Sequence, residues 1–157
     1  MVDQNCAYCM EGELVAKFGI KICELETSKV YLFKEQSHPG RCIVAHKKHV
    51  GDMNELTAEE RAAYFEDVAR VARAIMKAFN PDKVNYGAYG DTGHHLHFHL
   101  CPKYKDEYEW GGVFLMNPDK KYLTDAEYAG PNMVAEPTIV VRDGDKVLVK
   151  DKDYTVV

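Results

Sequence analysis

Four of the chain's seven histidines fall within six positions: His94, His95, His97 and His99. From His95 to Leu100 the types alternate strictly, His-Leu-His-Phe-His-Leu. On a β-strand successive side chains point to opposite faces, so His95, His97 and His99 share one face and Leu96, Phe98 and Leu100 the other. The apolar face reads as ordinary core. The imidazole face does not, because adjacent polar rings each need a partner once buried. One metal ion is a poor common partner for all three. The Cα atoms of His95 and His99 stand about 13 Å apart on a strand, whereas nitrogens bound to one tetrahedral zinc lie within about 4 Å of one another. The row therefore reads as different rings with different tasks.

A second cluster of chemistry-bearing residues opens the chain. Cys6-x-x-Cys9 is half of a zinc knuckle, and read alone it is equally two reduced thiols near a terminus. The five cysteines are an odd set, and the first residues show no basic stretch followed by an apolar run. Reduced thiols or a metal site suit this pattern better than a disulfide framework. No run approaches the ~18 apolar residues of a spanning helix. The expectation is a cytoplasmic protein with no membrane partner.

Composition narrows the class further. With 157 residues, 46% hydrophobic and 29% charged, the chain has the make-up of one globular domain rather than of a disordered segment. Twenty basic against 25 acidic residues leave −5, which argues against a nucleic-acid coat. An anionic ligand would need a local basic or helix-terminal site.

The elements that must position these residues are short strands around one long helix. Leu14–Ala16, Lys21–Leu25, Lys29–Phe33 and Arg41–Ala45 read as strands, the last after a turn-rich Gln36–Gly40. Thr57-Ala58-Glu59-Glu60 has capping-box spacing. Behind it Ala62, Phe65, Ala69, Ala72, Ile75 and Phe79 recur at helical spacing as a core face, and Asn80-Pro81 stops the helix. Lys83–Ala88 and His94–Cys101 are two further strands, the second ended by Pro102, which has no ladder donor to give. Strands gathered around one helix predict an α+β fold with an antiparallel sheet of about five strands. Residues 1–130 form this domain. Residues 131–157 read as a C-terminal extension, a β-hairpin with Ile139–Val141 facing Val147–Val149 across Asp143-Gly144-Asp145.

His95-Leu96-His97-Phe98-His99-Leu100-Cys101 resembles the His-φ-His-φ-His-φ-φ signature of the histidine triad family of nucleotide hydrolases and transferases. Gly40-Arg41-Cys42-Ile43-Val44-Ala45-His46-Lys47-Lys48-His49 is similar to that family's strand ending in Pro-Lys-x-His. The capped helix, Asn85, a Gly-rich turn and the triad follow in the family's order, and the likeness runs from about Cys6 to Tyr104. It implies a homodimer with the family's antiparallel sheet. It implies also that His97 is the nucleophile on the α-phosphorus of a nucleotide, forming a nucleotidyl-histidine that water hydrolyses. Neutral imidazole suits this near pH 7 if a bond at Nδ1 leaves Nε2 free. By the same resemblance His99 contacts the phosphate, Thr92 the leaving group, and Asn85 lies near the phosphate. Asn85 and Thr92 stand equally as turn residues bonded to backbone.

Some bacterial members complete a Cys2His2 zinc site, which maps onto Cys6, Cys9, His49 and His95, with His46 as a rival ligand. Four protein ligands leave zinc no open position, so such a zinc is structural and the phosphate chemistry metal-free. The chain departs from the family at three places. Arg41 stands where the family often has His, and His46 replaces the Pro. The acidic residue that holds the ribose falls near Phe33, with Glu35 close by as a surface residue. Asp91-Thr92 replaces the usual Gln-Ser. Tyr108, Trp110 and Gly111-Gly112 form either an aromatic wall for a base or a cover for the sheet edge. The substrates implied are dinucleoside polyphosphates or nucleoside phosphoramidates. A nucleotide- or zinc-binding module without catalysis is the rival, and a metal-dependent hydrolase is a third reading.

Overall fold

The computed structural model describes residues 3–128 and, beyond them, the backbone of residues 142, 143, 146 and 147. The chain starts with two single-turn helices, α1 (Ala7–Met10) and α2 (Gly12–Ala16). The latter replaces the strand expected at Leu14–Ala16. Three apolar residues do not distinguish helix from strand, and Glu11 and Gly12, both at positive φ, turn the chain between the two helices.

Strands β1 (Gly19–Glu24), β2 (Ser28–Phe33), β3 (Cys42–His46), β4 (Lys83–Gly87) and β5 (His97–Lys103) form one antiparallel sheet in the order β1-β2-β3-β5-β4. The expected α+β architecture is therefore present. Strand β5 lies between β3 and β4, so its side chains have neighbours on both sides.

Helix α3 (Ala58–Phe79) crosses one face of the sheet. Thr57 Oγ1 accepts from Glu60 N, Glu60 reaches back to Thr57 N, and Asn80 closes the helix in the left-handed conformation ahead of Pro81. The buried stripe differs from the expected one. Tyr64, Val68, Val71, Ala72 and Ile75 face the sheet, while Phe65 is 45% exposed. The stripe turns because Tyr64 brings its hydroxyl inside, where it donates to Val44 O at 2.7 Å. Asp67 is also buried and accepts from Thr27 N, Thr27 Oγ1 and Ser28 Oγ, tying α3 to the β1–β2 turn.

Val30, Leu32, Cys42, Val44, Phe98 and Leu100 pack against α3 as the main core. On the opposite face Tyr31, Ile43 and Ala45 form a smaller core with Tyr8 and Val15 of the N-terminal helices. Across β3 and β5, Ile43 pairs with His99 and Ala45 with His97, so the histidines share this second face.

Pro102 does not end β5. It pairs with Val84, beyond the last β3 pairing at Cys42↔Leu100, so only β4 remains as a neighbour there. Past the sheet come α4 (Asp125–Tyr128), then β6 (Arg142–Asp143) and β7 (Lys146–Val147), paired antiparallel in a two-residue ladder. Asp143 belongs to that ladder rather than to the turn. The remainder of the expected extension, including Ile139–Val141 and Leu148–Val149, lies outside the described residues.

Candidate functional site

The three alternating histidines divide just where β5 begins. His95 precedes the strand, in a stretch where Leu96 N donates to Val50 O and His46 N donates to Leu96 O. His97 and His99 belong to β5 proper, with ring centroids 5.2 Å apart. All three are buried, at 2%, 7% and 6% exposure. The fourth histidine, His94, is exposed and lies over Gly51, where any Cβ would run into its ring.

Each ring's protonation is set by one partner. His95 Nε2 lies 2.7 Å from His46 O and His97 Nδ1 2.7 Å from His95 O. A carbonyl oxygen only accepts, so both of these nitrogens carry the proton. That leaves lone pairs at His95 Nδ1 and His97 Nε2. At His99 the partner is a cation: Arg41 Nη2 stands 3.0 Å from Nδ1. No described residue hydrogen-bonds Nε2 of His97 or His99.

Burial keeps these rings neutral. It pulls the His95 pKa down to about 4, aided by His49 and His97, and that of His99 to about 3, aided by Arg41 and His97. The same desolvation lowers His97.

The lone pair of His95 faces a cluster that α1 brings across. Cys6 Sγ and Cys9 Sγ lie 3.3 and 3.7 Å from His95 Nδ1, and His49 Nδ1 lies 3.3 Å from Cys9 Sγ and 3.2 Å from His95 Nδ1. The four ligand atoms all fall within 4.8 Å of one another. A tetrahedral zinc with bonds of about 2.0 Å to nitrogen and 2.3 Å to sulfur separates its ligands by about 3.3–3.8 Å. The donor set therefore fits such an ion in number, type and spacing. The His46 carbonyl behind His95 is the outer partner that aims a ligating imidazole. The His46 ring is not part of the cluster, since its Nδ1 accepts from Lys48 N. Tyr8, between the two cysteines, packs its ring 5.1 Å from His95 and 5.0 Å from His97. One short helix thus supplies two thiols and covers the first two rings.

The other predicted residues are spread more widely. Asn85 sits on β4 opposite Cys101, two positions from the Gly87↔His99 pair and so on the histidine face. Thr92 is exposed in the loop ahead of the triad.

Glu35 is not on the surface. It is 2% exposed and accepts from Ser37 N, Ser37 Oγ and Lys121 N, with Arg41 Nη1 at 3.9 Å. Buried and accepting three hydrogen bonds, it ties the segment at Ser37 to that at Lys121. Lys103 is buried and donates to Glu109 O and Gly112 O. Trp110 is 46% exposed with Lys105 over its ring, and Tyr108 bonds Asp119. The aromatic residues near His99 are instead Phe33 and Tyr89, at centroid distances of 5.5 and 6.4 Å. Phe114 stands behind Tyr89 at 6.3 Å. Tyr8, Arg41 and Phe114 carry no local sequence signal for the site beyond the departure of Arg41 at a family position.

A five-stranded antiparallel sheet, one long helix on one face and an alternating histidine strand on the other define a histidine-triad fold. Residues 19–106, more than half of the chain, match the HIT domain, and the protein belongs to that family. Protein hit of Bacillus subtilis is 28% identical over 123 residues, covering 74% of this chain and 83% of that protein. The adenosine 5'-monophosphoramidase hnt1 of Schizosaccharomyces pombe is 28% identical over 116 residues, covering 68% and 80%. Among solved structures, a histidine triad protein from Marinobacter aquaeolei superposes with a TM-score of 0.68 at 21% identity, over 76% of this chain and 88% of that one. A HIT-family protein from Bacillus subtilis does so with 0.58 at 27% identity, over 82% and 88%. A HIT domain with a catalytic-type histidine cluster supports hydrolase-type activity and nucleotidyl-histidine chemistry in general. Among the described residues no helix is long and apolar enough to cross a membrane.

Proposed function

We propose that this chain is a nucleotide phosphohydrolase or nucleotidyl transferase that cleaves at the α-phosphate of dinucleoside polyphosphates or nucleoside phosphoramidates. The observation that supports the reading is the His97 ring: Nδ1–H is bound to the His95 carbonyl at 2.7 Å, and Nε2 is left with a lone pair and no hydrogen-bond partner among the described residues. Nε2 of His97 attacks the α-phosphorus, and the bond from phosphorus to the leaving oxygen or nitrogen breaks with its electron pair going to the leaving group. A polyphosphate departs as an anion, whereas an amine departs after taking a proton from solvent water. Thr92 is the residue assigned to contact that group. Water then cleaves the phosphorus–nitrogen bond to His97 and releases a nucleoside monophosphate. His99 and Asn85 contact the phosphate. The name of the fission-yeast relative, a monophosphoramidase, supports the phosphoramidate half of the substrate class.

Cys6, Cys9, His49 and His95 would hold a zinc ion whose contribution is structural, with all four positions taken by protein. The ligand set ties α1, and Tyr8 with it, to the residue whose carbonyl orients His97.

One observation favours the rival reading of a binding module without turnover: Phe33 occupies the ribose-grip register, and Glu35, close to it in sequence, is buried and bonded to Ser37 and Lys121. Product formation from adenosine phosphoramidate and diadenosine tetraphosphate, followed by 31P NMR for the wild type and His97→Ala, separates the two. Turnover by the wild type with retained binding and no turnover in the variant is expected. Unchanged turnover in His97→Ala overturns the nucleophile, and tight binding without product from the wild type favours the module.

A further inference from the structure

Arg41 is the largest fully buried side chain among the described residues, at 0% exposure, and it meets the triad at His99. Its guanidinium lies 4.1 Å from the centroid of Phe33 and 5.7 Å from that of Phe114. Nη1 donates to Met116 O and to Asn117 Oδ1, and Glu35 supplies the compensating charge at 3.9 Å. Nη2 lies 3.0 Å from His99 Nδ1 and 3.3 Å from Met116 Sδ. Two aromatic faces, a carboxylate and two acceptors hold the group, and at 0% exposure it is out of reach of a substrate.

We propose that Arg41 is a positioning residue that fixes His99 in its Nε2–H form and so makes that ring an obligate hydrogen-bond donor to the phosphate that His97 attacks. Arginine only donates, so the nitrogen that faces it must accept, and a neutral imidazole accepting at Nδ1 carries its proton at Nε2. His97 is fixed the opposite way, by a carbonyl that only accepts. The two adjacent rings therefore hold opposite tautomers: Nε2 of His97 offers a lone pair and Nε2 of His99 offers a proton. A histidine at position 41, the residue common in the family, can donate or accept and imposes no such choice. The nearby Arg41 cation also opposes a second proton on His99, in line with the depressed pKa of that ring.

The inference rests on the nucleotidyl-transfer reading for its consequence, but the tautomer itself is read without turnover. Protein labelled with 15N-histidine is examined at neutral pH by long-range 1H–15N correlation, with His99 assigned by its loss in His99→Gln. A proton-bearing shift at Nε2 and a bare one at Nδ1 are expected in the wild type, the Arg41→Lys variant keeping part of this preference and Arg41→Met losing it. In Arg41→Met, kcat falls about tenfold or more while KM moves little, since a donor aimed at developing charge acts in the transition state. An Nδ1–H form or an imidazolium at His99 in the wild type overturns the proposal. So does an unchanged Nε2–H form in folded Arg41→Met. If that variant does not fold, the wild-type spectrum and Arg41→Lys decide on the same criteria. A merely structural arginine would shift the melting temperature and leave the tautomer alone. Correct tautomers in a protein without turnover would sink the catalytic reading and leave the positioning intact.

Discussion

At the scale of single residues, three chemically identical side chains acquire three environments from their nearest acceptor or donor. His95 turns Nδ1 to two thiols, His97 turns it to a carbonyl, and His99 to a guanidinium. Replacing His97 by Ala is expected to lower turnover by about 10⁴-fold or more with the fold kept, as removal of a covalent nucleophile does. Steady-state rates beside a circular dichroism spectrum check this. Burial of neutral rings also has a pH signature. The His99 pKa is about 3 in the folded protein against an ordinary 6.5, chiefly through desolvation. Below about 6.5 the unfolded chain takes up a proton there that the folded chain refuses, so this ring makes stability fall as pH drops toward 3 and rise with pH across that window. Urea midpoints measured at a series of pH values below neutral should show the decline, and His99→Gln should show a shallower one. An equally steep decline in the variant would contradict the assignment.

Elements carry the next set of consequences. Helix α1 has four residues and little stability of its own. It is held through Tyr8 and through the cluster that Cys6 and Cys9 share with His49 and His95. Native mass spectrometry is expected to find one zinc per chain. Cys6→Ser with Cys9→Ser should abolish it and lower the melting temperature by several degrees, since a loss of about 1–3 kcal/mol shifts a domain of this size by roughly 2–4 °C per kcal/mol. A metal-free wild type with an unchanged melting temperature in the variant would refute the site. At α3 the capping box predicts that Thr57→Ala costs about 1 kcal/mol in denaturant unfolding. These elements differ in how legible they were. The start and end of α3 are written in local residues, Thr57, Glu60, Asn80 and Pro81, and were readable from sequence. Helix α2 was not, because Leu14–Ala16 suits either period and the deciding feature is the backbone turn at Glu11 and Gly12. The buried side of α3 is turned from the one its spacing predicts because Tyr64 is placed by the Val44 carbonyl on β3.

For the whole molecule, the fold class is legible in the short strands gathered around one capped helix and in the family resemblance of the histidine row, since alternation, order and spacing are properties of the chain itself. What was hidden is what tertiary closure creates. Arg41 and His99 are 58 positions apart, and a fully buried cation runs against every compositional rule of thumb. Glu35 reads as a surface carboxylate because its distant partner, the Lys121 amide, lies 86 positions away and only tertiary closure brings it there. The sheet also leaves β4 as an edge, with Tyr86 52% exposed beside Met76 at 43%. The homodimer implied by the family resemblance is testable at this edge. Sedimentation is expected to give twice the chain mass, and Tyr86→Asp to shift it toward the monomer. A monomeric wild type at micromolar concentration would remove the dimer from the account.

The central claim is that His97 carries the nucleotide covalently. It is tested most directly by the intact mass of the protein after a brief acid-free quench with adenosine phosphoramidate or diadenosine tetraphosphate. A single added adenylate on the wild type, mapped to the peptide holding His97 and missing from His97→Ala, is the predicted result. An adduct that persists in His97→Ala, or product released with no adduct at any quench time, would contradict it.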